Sequence, residues 1–557
     1  MSELFRASNL KVATQRYTYL PSGRNITDEN VYAVLQGPRA DATEAIVLMA
    51  ALRTMDGEFN YSGIALVLAL ARYFKRWSLW SKDIIFLISG DGTSGPQAWV
   101  DAYHNSHDTS AIESLSIKSG ALQGAVGLEY PAGPWGHRFD KLHIVYDGTN
   151  GQLPNLDLFN TAVNIASGQM GIGCTLQRMW QHTDSYQDRL RTMLRGMISQ
   201  GLGHATGPHS AFIPYHIDAI TLVTVGDGWH DEMSLGRTVE SLFRSLNNLL
   251  EHLHQSFFFY LLLEAKRFVS IGTYLPSAML IAANFSIMAI ALWVKSGRPE
   301  TIPNPASTQP PKKTPNEKIS DKKTSDDNSS QDVKSASCPK PSPDSDAPSM
   351  TIASKDGDIA LIPTQALSIT ERPLFLPILF VLGTHFLGLI PLALFNYLPA
   401  SELAPSFVLA VNITTLLPLT TAYALRQFNR PTAQEATLIQ CLSLLVLGMF
   451  LSSLATLNFS LSFLVGLLTA PLSFVRTSSS YGLSGVMYIV LMLVNPAMVV
   501  QIGTSLGGVE LIDVLVKAAE GWVVWGMWTQ VVVWLVWWPA WFCGSVIVAL
   551  GFIKAAN

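Results

Sequence analysis

The chain runs to 557 residues, 48% hydrophobic and only 14% charged, with a formal net charge of −4. That length allows two or three structural units. The near-neutral balance, with no basic stripe interleaved with aromatics, excludes a nucleic-acid-binding protein.

From the start, residues 1–19 are polar and of mixed charge, unlike a signal peptide. A strand-like segment already begins at 11–20, so either 268–294 acts as an internal signal that moves the preceding domain across a membrane or, the favoured reading, the true N-terminus is missing. Strand-like runs at 31–36, 45–51, 83–89, 142–146 and 218–225 alternate with helical patterns at 62–77, 96–103, 155–166 and 187–200. Short apolar strands separated by helices predict an α/β domain over 1–235, its mostly parallel sheet covered on both faces. A long helix is predicted from 235 to 264, with Leu242, Leu246, Leu249, Leu250 and Leu253 on one face and Phe257, Phe258, Phe259 and Tyr260 near its end. The region 236–267 reads either as an amphipathic helix at a bilayer interface or as a helix packed on its own domain.

Seven apolar stretches follow, at 268–294, 373–397, 403–425, 436–457, 459–475, 482–502 and 528–552. Most are long enough to cross a hydrocarbon layer of about 30 Å, and 459–475 is the shortest. Only His385 among their residues can carry charge, and it can stay neutral. The expected architecture is one transmembrane helix at 268–294, a disordered cytosolic linker at 295–372, rich in Pro, Ser, Lys and Asp, and an all-α membrane domain of six helices at 373–557. Positive charge is asymmetric across the loops. Lys295, Arg298, Lys312, Lys313, Arg372, Arg426, Arg430, Arg476 and Lys554 fall on one side, and only Lys517 on the other. This places the linker and the C-terminus in the cytosol and residues 1–267 across the membrane. The sequons at Asn25 and Asn60 then lie where a lumenal transferase reaches them.

Cysteine usage fits the same plan. Cys441 and Cys543 fall in spans and Cys338 in the linker, leaving Cys174 alone in the α/β domain, so no internal disulfide framework exists. Cys174 is either a buried thiol or a bridge to another subunit.

A search for chemistry finds no Gly-x-Ser-x-Gly elbow, phosphate loop, His-Glu-x-x-His or Cys-x-x-Cys. His204, His209 and His216 cluster in one loop region, as surface groups or as acid–base or metal candidates. The order of strand, Asn60-Tyr61-Ser62-Gly63, helix and strand resembles the core of M28-type zinc aminopeptidases. That family places a His-x-Asp, an Asp and paired Glu residues around this core to hold two zinc ions. Here Ala51 and Arg53 stand at the His-x-Asp positions, Phe59 precedes Asn60, and Gly90-Asp91 replaces the Glu pair. Two readings follow: the metal site is lost, or a rearranged site persists with Asp91, Glu129 and a histidine such as His204 or His209.

Several longer segments resemble the GPI-anchor attachment (Gaa) family of transamidase subunits. They are Asn150-Gly151-Gln152-Leu153-Pro154-Asn155-Leu156-Asp157-Leu158; Gly207-Pro208-His209 with Ile217-Asp218-Ala219-Ile220-Thr221-Leu222; the stretch from Leu249 to Leu262; and Phe268-Val269-Ser270-Ile271-Gly272 with Tyr274-Leu275-Pro276. The resemblance implies a multi-pass subunit of the endoplasmic reticulum membrane, without a cofactor, in a complex that replaces a proprotein's C-terminal signal with a GPI lipid. A separate caspase-like cysteine peptidase would supply the nucleophile. This chain would be a non-catalytic subunit that helps bind the lipid and present it and the proprotein. Trp534, Trp537, Trp538 and Pro539 in the last stretch, with Asn495 in another, are the lipid-contact candidates, because indoles pack on acyl chains and Pro539 frees a carbonyl. An ordinary interfacial tryptophan belt is the competing reading. The rival functions are a metal-dependent peptidase or amide-forming transferase acting through the α/β domain, and a transporter, which the shortage of ionisable groups in the spans disfavours.

Overall fold

Residues 44–51 are apolar at nearly every position, so they suit only the middle of a sheet covered on both faces. The computed structural model describes residues 1–131, 138–180, 184–249, 258–298, 350–355, 358–363, 371–476 and 481–551. Its strands are β1 (Lys11–Tyr19), β2 (Ile26–Leu35), β3 (Glu44–Ala51), β4 (Asp83–Ser89), β5 (Ala121–Glu129), β6 (Phe139–Val145), β7 (Gly173–Thr175) and β8 (Ala219–His230). They form one eight-stranded sheet in the order β1-β2-β4-β3-β5-β8-β6-β7. The pairs β4–β3, β3–β5, β5–β8 and β6–β7 are parallel, while β1–β2, β2–β4 and β6–β8 are antiparallel.

Alternate side chains of the central strands enter separate cores. Ala33, Ile46, Leu48, Ile84 and Phe86 face one side, and Tyr32, Val34, Val47, Ile85 and Leu87 the other. Helix α1 (Ser2–Ala7) leads in, followed by α2 (Tyr61–Phe74), α3 (Ser94–Tyr103), α4 (Leu156–Val163), α5 (Tyr186–Leu202) and α6 (Glu232–Asn247). α2, α4 and α6 cover the first face, and Ala98 and Trp99 of α3 pack on the second.

The helix expected to run from 235 to 264 is shorter. α6 is capped by the Asp231 side chain, buries Leu235, Val239, Leu242 and Leu246, and ends at Asn247. It packs on its own domain. Leu250 and Leu253 lie outside the described residues. The chain then returns as a hairpin, β9 (Tyr260–Glu264) with β10 (Arg267–Ser270). Tyr260, Leu261 and Leu262 are buried, and the Tyr260 hydroxyl donates to Pro154 O at 3.0 Å. An extended segment allows this burial; a helix would turn part of it to solvent.

Beyond the hairpin come α7 (Ile271–Ser296), α8 (Phe375–Tyr397), α9 (Ala400–Phe428), α10 (Ala433–Leu457), α11 (Phe459–Thr469), α12 (Tyr481–Leu493), α13 (Pro496–Gly507), α14 (Leu511–Trp525), α15 (Thr529–Val532) and α16 (Trp538–Leu550). Among the described residues five helices are long and apolar enough to span a membrane: α7 to α10 and the continuous Thr529–Leu550. A sixth appears if α12 and α13, bent by 61° at their break, are one span. The fifth expected stretch, 459–475, is a short apolar helix, Phe459–Phe474, with a 3₁₀ end at Ala470–Phe474. Part of the sequence expected as a loop at 503–527 is instead the helix α14.

Residues Trp293–Arg372 form a separate unit. Within it Met350–Lys355 and Asp358–Pro363 pair as an antiparallel hairpin, which corrects the expectation of disorder there. The remainder of the expected linker from 299 to 370 lies outside the described residues.

Candidate functional site

The C-terminal ends of β3 and β5 are stitched together by Asn60. Its Nδ2 donates to Ala51 O (3.0 Å) and Leu128 O (2.8 Å), and its Oδ1 accepts from Tyr130 N (2.7 Å). Asn60 is fully buried. In the folded protein this side chain is out of reach of a transferase and serves as a structural tie. Asn25 is exposed, and its Oδ1 accepts from the Thr27 hydroxyl at 2.7 Å.

Nearby, the Arg53 guanidinium sits 4.4 Å above the Phe59 ring. Glu129, at the end of β5, is only 4% exposed, and its Oε1 has no hydrogen-bond partner. Burial raises its pKa to about 7, with Asp56 adding to the rise and Arg178 opposing it. Arg178 and Asp56 form an exposed ion pair at 2.8 Å. The Arg178 backbone N–H donates to His143 Nε2 at 3.3 Å, and burial lowers the His143 pKa to about 4.

His209 is fully buried on the β8 side of the sheet. The Asp147 carbonyl 3.1 Å from Nε2 can only accept, so Nε2 carries the proton and Nδ1 accepts from the Thr221 hydroxyl at 2.8 Å. Burial lowers its pKa to about 4. Asp91 Oδ1 accepts from Thr93 N (3.2 Å) and Gly95 N (2.7 Å) at the start of α3. Its pKa is raised, chiefly by burial against those hydrogen bonds. Asp91, Glu129 and His209 are thus committed to separate surroundings. Among the described residues no three His, Cys, Asp or Glu side chains are gathered to hold a metal. This donor set does not fit a co-catalytic zinc pair, and we derive no step through one. Cys174 is half-buried, and burial pushes its thiol to about 11, which keeps it protonated and unreactive near neutrality.

A second constellation joins the α/β domain to the membrane helices. Asn150 and Gly151 both take positive φ, 60° and 74°, which turns their backbone onto the bundle. A side chain at Gly151 would meet Asn458 Nδ2 at 2.5 Å and Gln200 O at 2.7 Å. Asn458 Nδ2 donates to Asn150 O and Gln200 O, each at 2.9 Å. Asn150 Oδ1 accepts from Trp528 N (2.9 Å), Ser460 Oγ donates to Gln200 Oε1 (3.0 Å), and Thr529 Oγ1 donates to Leu202 O (3.0 Å). Arg24 and the largely covered Glu520 of α14 pair at 3.1 Å. These partners belong to the turns that the charge asymmetry groups on the α/β side. A cavity of about 300 Å³ opens at the seam, lined by Gln152, His216, Tyr260, Tyr274, Asn458 and Phe459 among others. Segments that carried the family resemblance meet there. Sequence reasoning missed Asn458, whose partners lie about 260 and 310 residues away along the chain.

The last span is the centre of the bundle: 83% of its apolar window is buried, against 28% for α8 and α9. Trp534, Trp537, Trp538, Pro539 and Asn495 are all covered by the chain's own helices, so their expected contact with lipid is corrected to contact with protein. The indoles serve the broken span. Trp541 Nε1 donates to Leu491 O (2.6 Å) and Trp537 Nε1 to Val494 O (3.2 Å), satisfying carbonyls freed where α12 ends. Asn495 caps α13 through Ala497 N and donates to Thr414 Oγ1 at 3.1 Å. The carbonyl that Pro539 leaves without an N–H is that of Leu535, and His385 Nδ1 donates to it at 2.6 Å. A π-helical turn, Val533–Trp537, precedes the proline. One turn along α8 from His385, a Cβ on Gly388 would lie 2.1 Å from Trp534 O, so only glycine permits this approach.

Comparison with known proteins gives one family. Residues 27–545 match the family model described as Gaa1-like, GPI transamidase component. The GPI transamidase component gaa1 of Schizosaccharomyces pombe is 39% identical over 301 residues, 53% of this chain and 51% of that protein. The GPI transamidase component GAA1 of Saccharomyces cerevisiae is 39% identical over 273 residues, 48% of this chain and 43% of that protein. The chain therefore matches about half the length of these curated relatives. Among solved structures, a Porphyromonas gingivalis glutaminyl cyclase is similar over 44% of this chain and 86% of its own, with 17% identity and a TM-score of 0.25. A Bacillus subtilis zinc aminopeptidase is similar over 40% of this chain and 49% of its own, with 13% identity and a TM-score of 0.25. At such scores these likenesses carry no argument here.

Proposed function

This chain belongs to the family of Gaa1-like GPI transamidase components, and from that premise we propose that it works in GPI-anchor attachment at the endoplasmic reticulum membrane as a non-catalytic positioning subunit. Its α/β domain is lumenal and its C-terminus cytosolic. It helps hold the GPI lipid and presents it and the proprotein to other subunits, among them a caspase-like cysteine peptidase that supplies the nucleophile.

One observation carries this reading: the polar seam through Asn150, Gln200, Asn458 and Thr529 ties the α/β domain to the membrane helices. Joining a lipid amine to an acyl group on a separate subunit needs both held in register, because fixing their geometry removes the entropic part of the barrier. A domain swinging on one tether does not provide that; a domain hydrogen-bonded to the bundle at several points does. The hydrogen-bonded Asp91 and the protonated Cys174 support a chain that positions and leaves bond-making to others.

Asn458→Ala leaves two buried carbonyls unpaired, at a cost of about 2 kcal/mol. The expected result is faster amide exchange around 149–152 and 200–203 and weaker GPI attachment to a reporter protein, with membrane insertion and co-purifying subunits retained. Full attachment in a variant whose seam has opened refutes the positioning role.

A further inference from the structure

Helix α5 carries an apolar ridge that stands exposed among the described residues. Tyr186, Leu190, Leu194, Ile198 and Leu202 recur every fourth residue and are 36 to 73% exposed. At about 100° per residue that spacing drifts by about 40° per step, so Leu190, Leu194 and Ile198 fall within an arc of about 80°. Thr192, Gly196 and Gln200 pack inward on the other side of the helix, and Met197 and Gly201 are buried beside the ridge.

Both ends of α5 are fastened where the chain enters its apolar helices. At the start, Asp184 pairs with Arg267 at 2.7 Å, four residues before α7 begins. At the end, Gln200 accepts from Ser460 in the first turn of α11, and Leu202 O accepts from Thr529 at the first residue of the last span. A helix of 17 residues, about 25 Å long, whose two ends both meet span entrances must lie along the membrane surface.

The direction of the ridge follows from Gly201. A Cβ there would meet Leu464 Cδ1 at 2.9 Å, and Leu464 lies more than a turn inside α11. Leu194 is seven residues before Gly201, two turns less about 20°, and therefore points the same way. Arg191, with 66% of its side chain exposed, flanks the ridge, and Lys266 and Arg267 sit exposed at the hairpin beside the first turn. Apolar side chains pointing toward the spans with cations at their margin match the acyl and phosphate layers of a lipid surface.

We propose that α5 is an interfacial helix, its Leu190-Leu194-Ile198 ridge immersed in the bilayer leaflet that faces the α/β domain. The surface-lying element expected at 236–267 is thus supplied by a different helix. This contact would fix the height of the α/β domain over the bilayer, adding to the seam.

The test uses the full chain in nanodiscs of phosphatidylcholine and phosphatidylserine, with Cys174→Ser and Cys338→Ser removing the accessible thiols. Spin labels are placed singly at Leu190→Cys, Leu194→Cys, Ile198→Cys and, as reference, Arg195→Cys. Collisions with oxygen, which partitions into lipid, are compared with collisions with a water-soluble nickel chelate. Immersion predicts oxygen-dominated collisions at the three ridge positions and nickel-dominated collisions at Arg195. Free access of nickel to the ridge overturns the proposal. So does a ridge shielded only when other subunits co-purify, which would make it a protein-binding face.

Discussion

Replacing His385 with Leu tests how the last span tolerates its proline. Pro539 cannot donate to Leu535 O, and the imidazole on α8 supplies the missing N–H at 2.6 Å. In a bilayer no water replaces it, so His385→Leu leaves a buried carbonyl unpaired at about 1–3 kcal/mol. Leucine fills similar volume, so little of the loss comes from a cavity. Pro539→Leu restores an N–H four residues after Leu535, and that backbone donor can take the imidazole's place. The double variant His385→Leu with Pro539→Leu should therefore recover most of what His385→Leu loses, with a coupling energy of about 1–2 kcal/mol. Denaturation of the full chain in mixed micelles, followed by tryptophan emission, measures all three variants against the parent. Strictly additive losses would show that the His385–Leu535 bond does not answer the proline, and the account of the kink would fall.

Two further outcomes follow from the α/β domain. Burial raises the Glu129 pKa to about 7 from its usual 4.5, so the folded chain holds a proton there that the unfolded chain has released. The stability this adds is complete below pH 4.5 and lost as pH rises through 7. Glu129→Gln should accordingly raise the melting temperature at pH 8 more than at pH 5, by up to about 3 kcal/mol of relative stability; equal shifts at both pH values would refute the buried acid. Mass spectrometry of glycopeptides should find a glycan at Asn25 and none at Asn60, with Asn60→Gln lowering stability; an occupied Asn60 would contradict its burial.

What the sequence made legible is what short-range patterning controls. The continuous apolar run of β3 announced a doubly covered strand, and the long apolar stretches announced spans because their composition is uniform over twenty residues. The strand β5 was missed because Gly124 and Gly127 dilute its apolar signal. Among the described residues five or six of the seven expected spans are identified, because length alone separates Phe459–Phe474 from a crossing helix, and because hydropathy is blind to the 61° bend at Asn495-Pro496. The end of α6 was misplaced for a similar reason: the leucine periodicity continues in sequence past Asn247, where α6 ends. At the strand ends, Asp91 and Glu129 were recognisable as carboxylates at the right places. What His143 and Arg178 do beside Glu129 was not recognisable, since strand pairing and a left-handed turn bring them together from 35 residues apart.

The tryptophans of the last span show how burial changes a residue's meaning. Read along the chain, Trp534, Trp537 and Trp538 beside Pro539 look like a surface for lipid, because amphipathic rings favour membrane boundaries. The fold instead wraps this helix in four others, where an unpartnered N–H or carbonyl finds no water. The carbonyls released at the two interruptions are answered by side chains. Trp537 and Trp541 close the carbonyls of the broken helix, His385 closes the one released by Pro539, and Gly388 lets the backbones approach. The chain accepts two interrupted helices at its centre because each interruption is met by a donor on a neighbour. A substitution at Pro539 or Asn495 therefore acts first on how these helices pack. Any effect on a lipid bound at the bundle surface would arrive through that packing rather than through a lost contact.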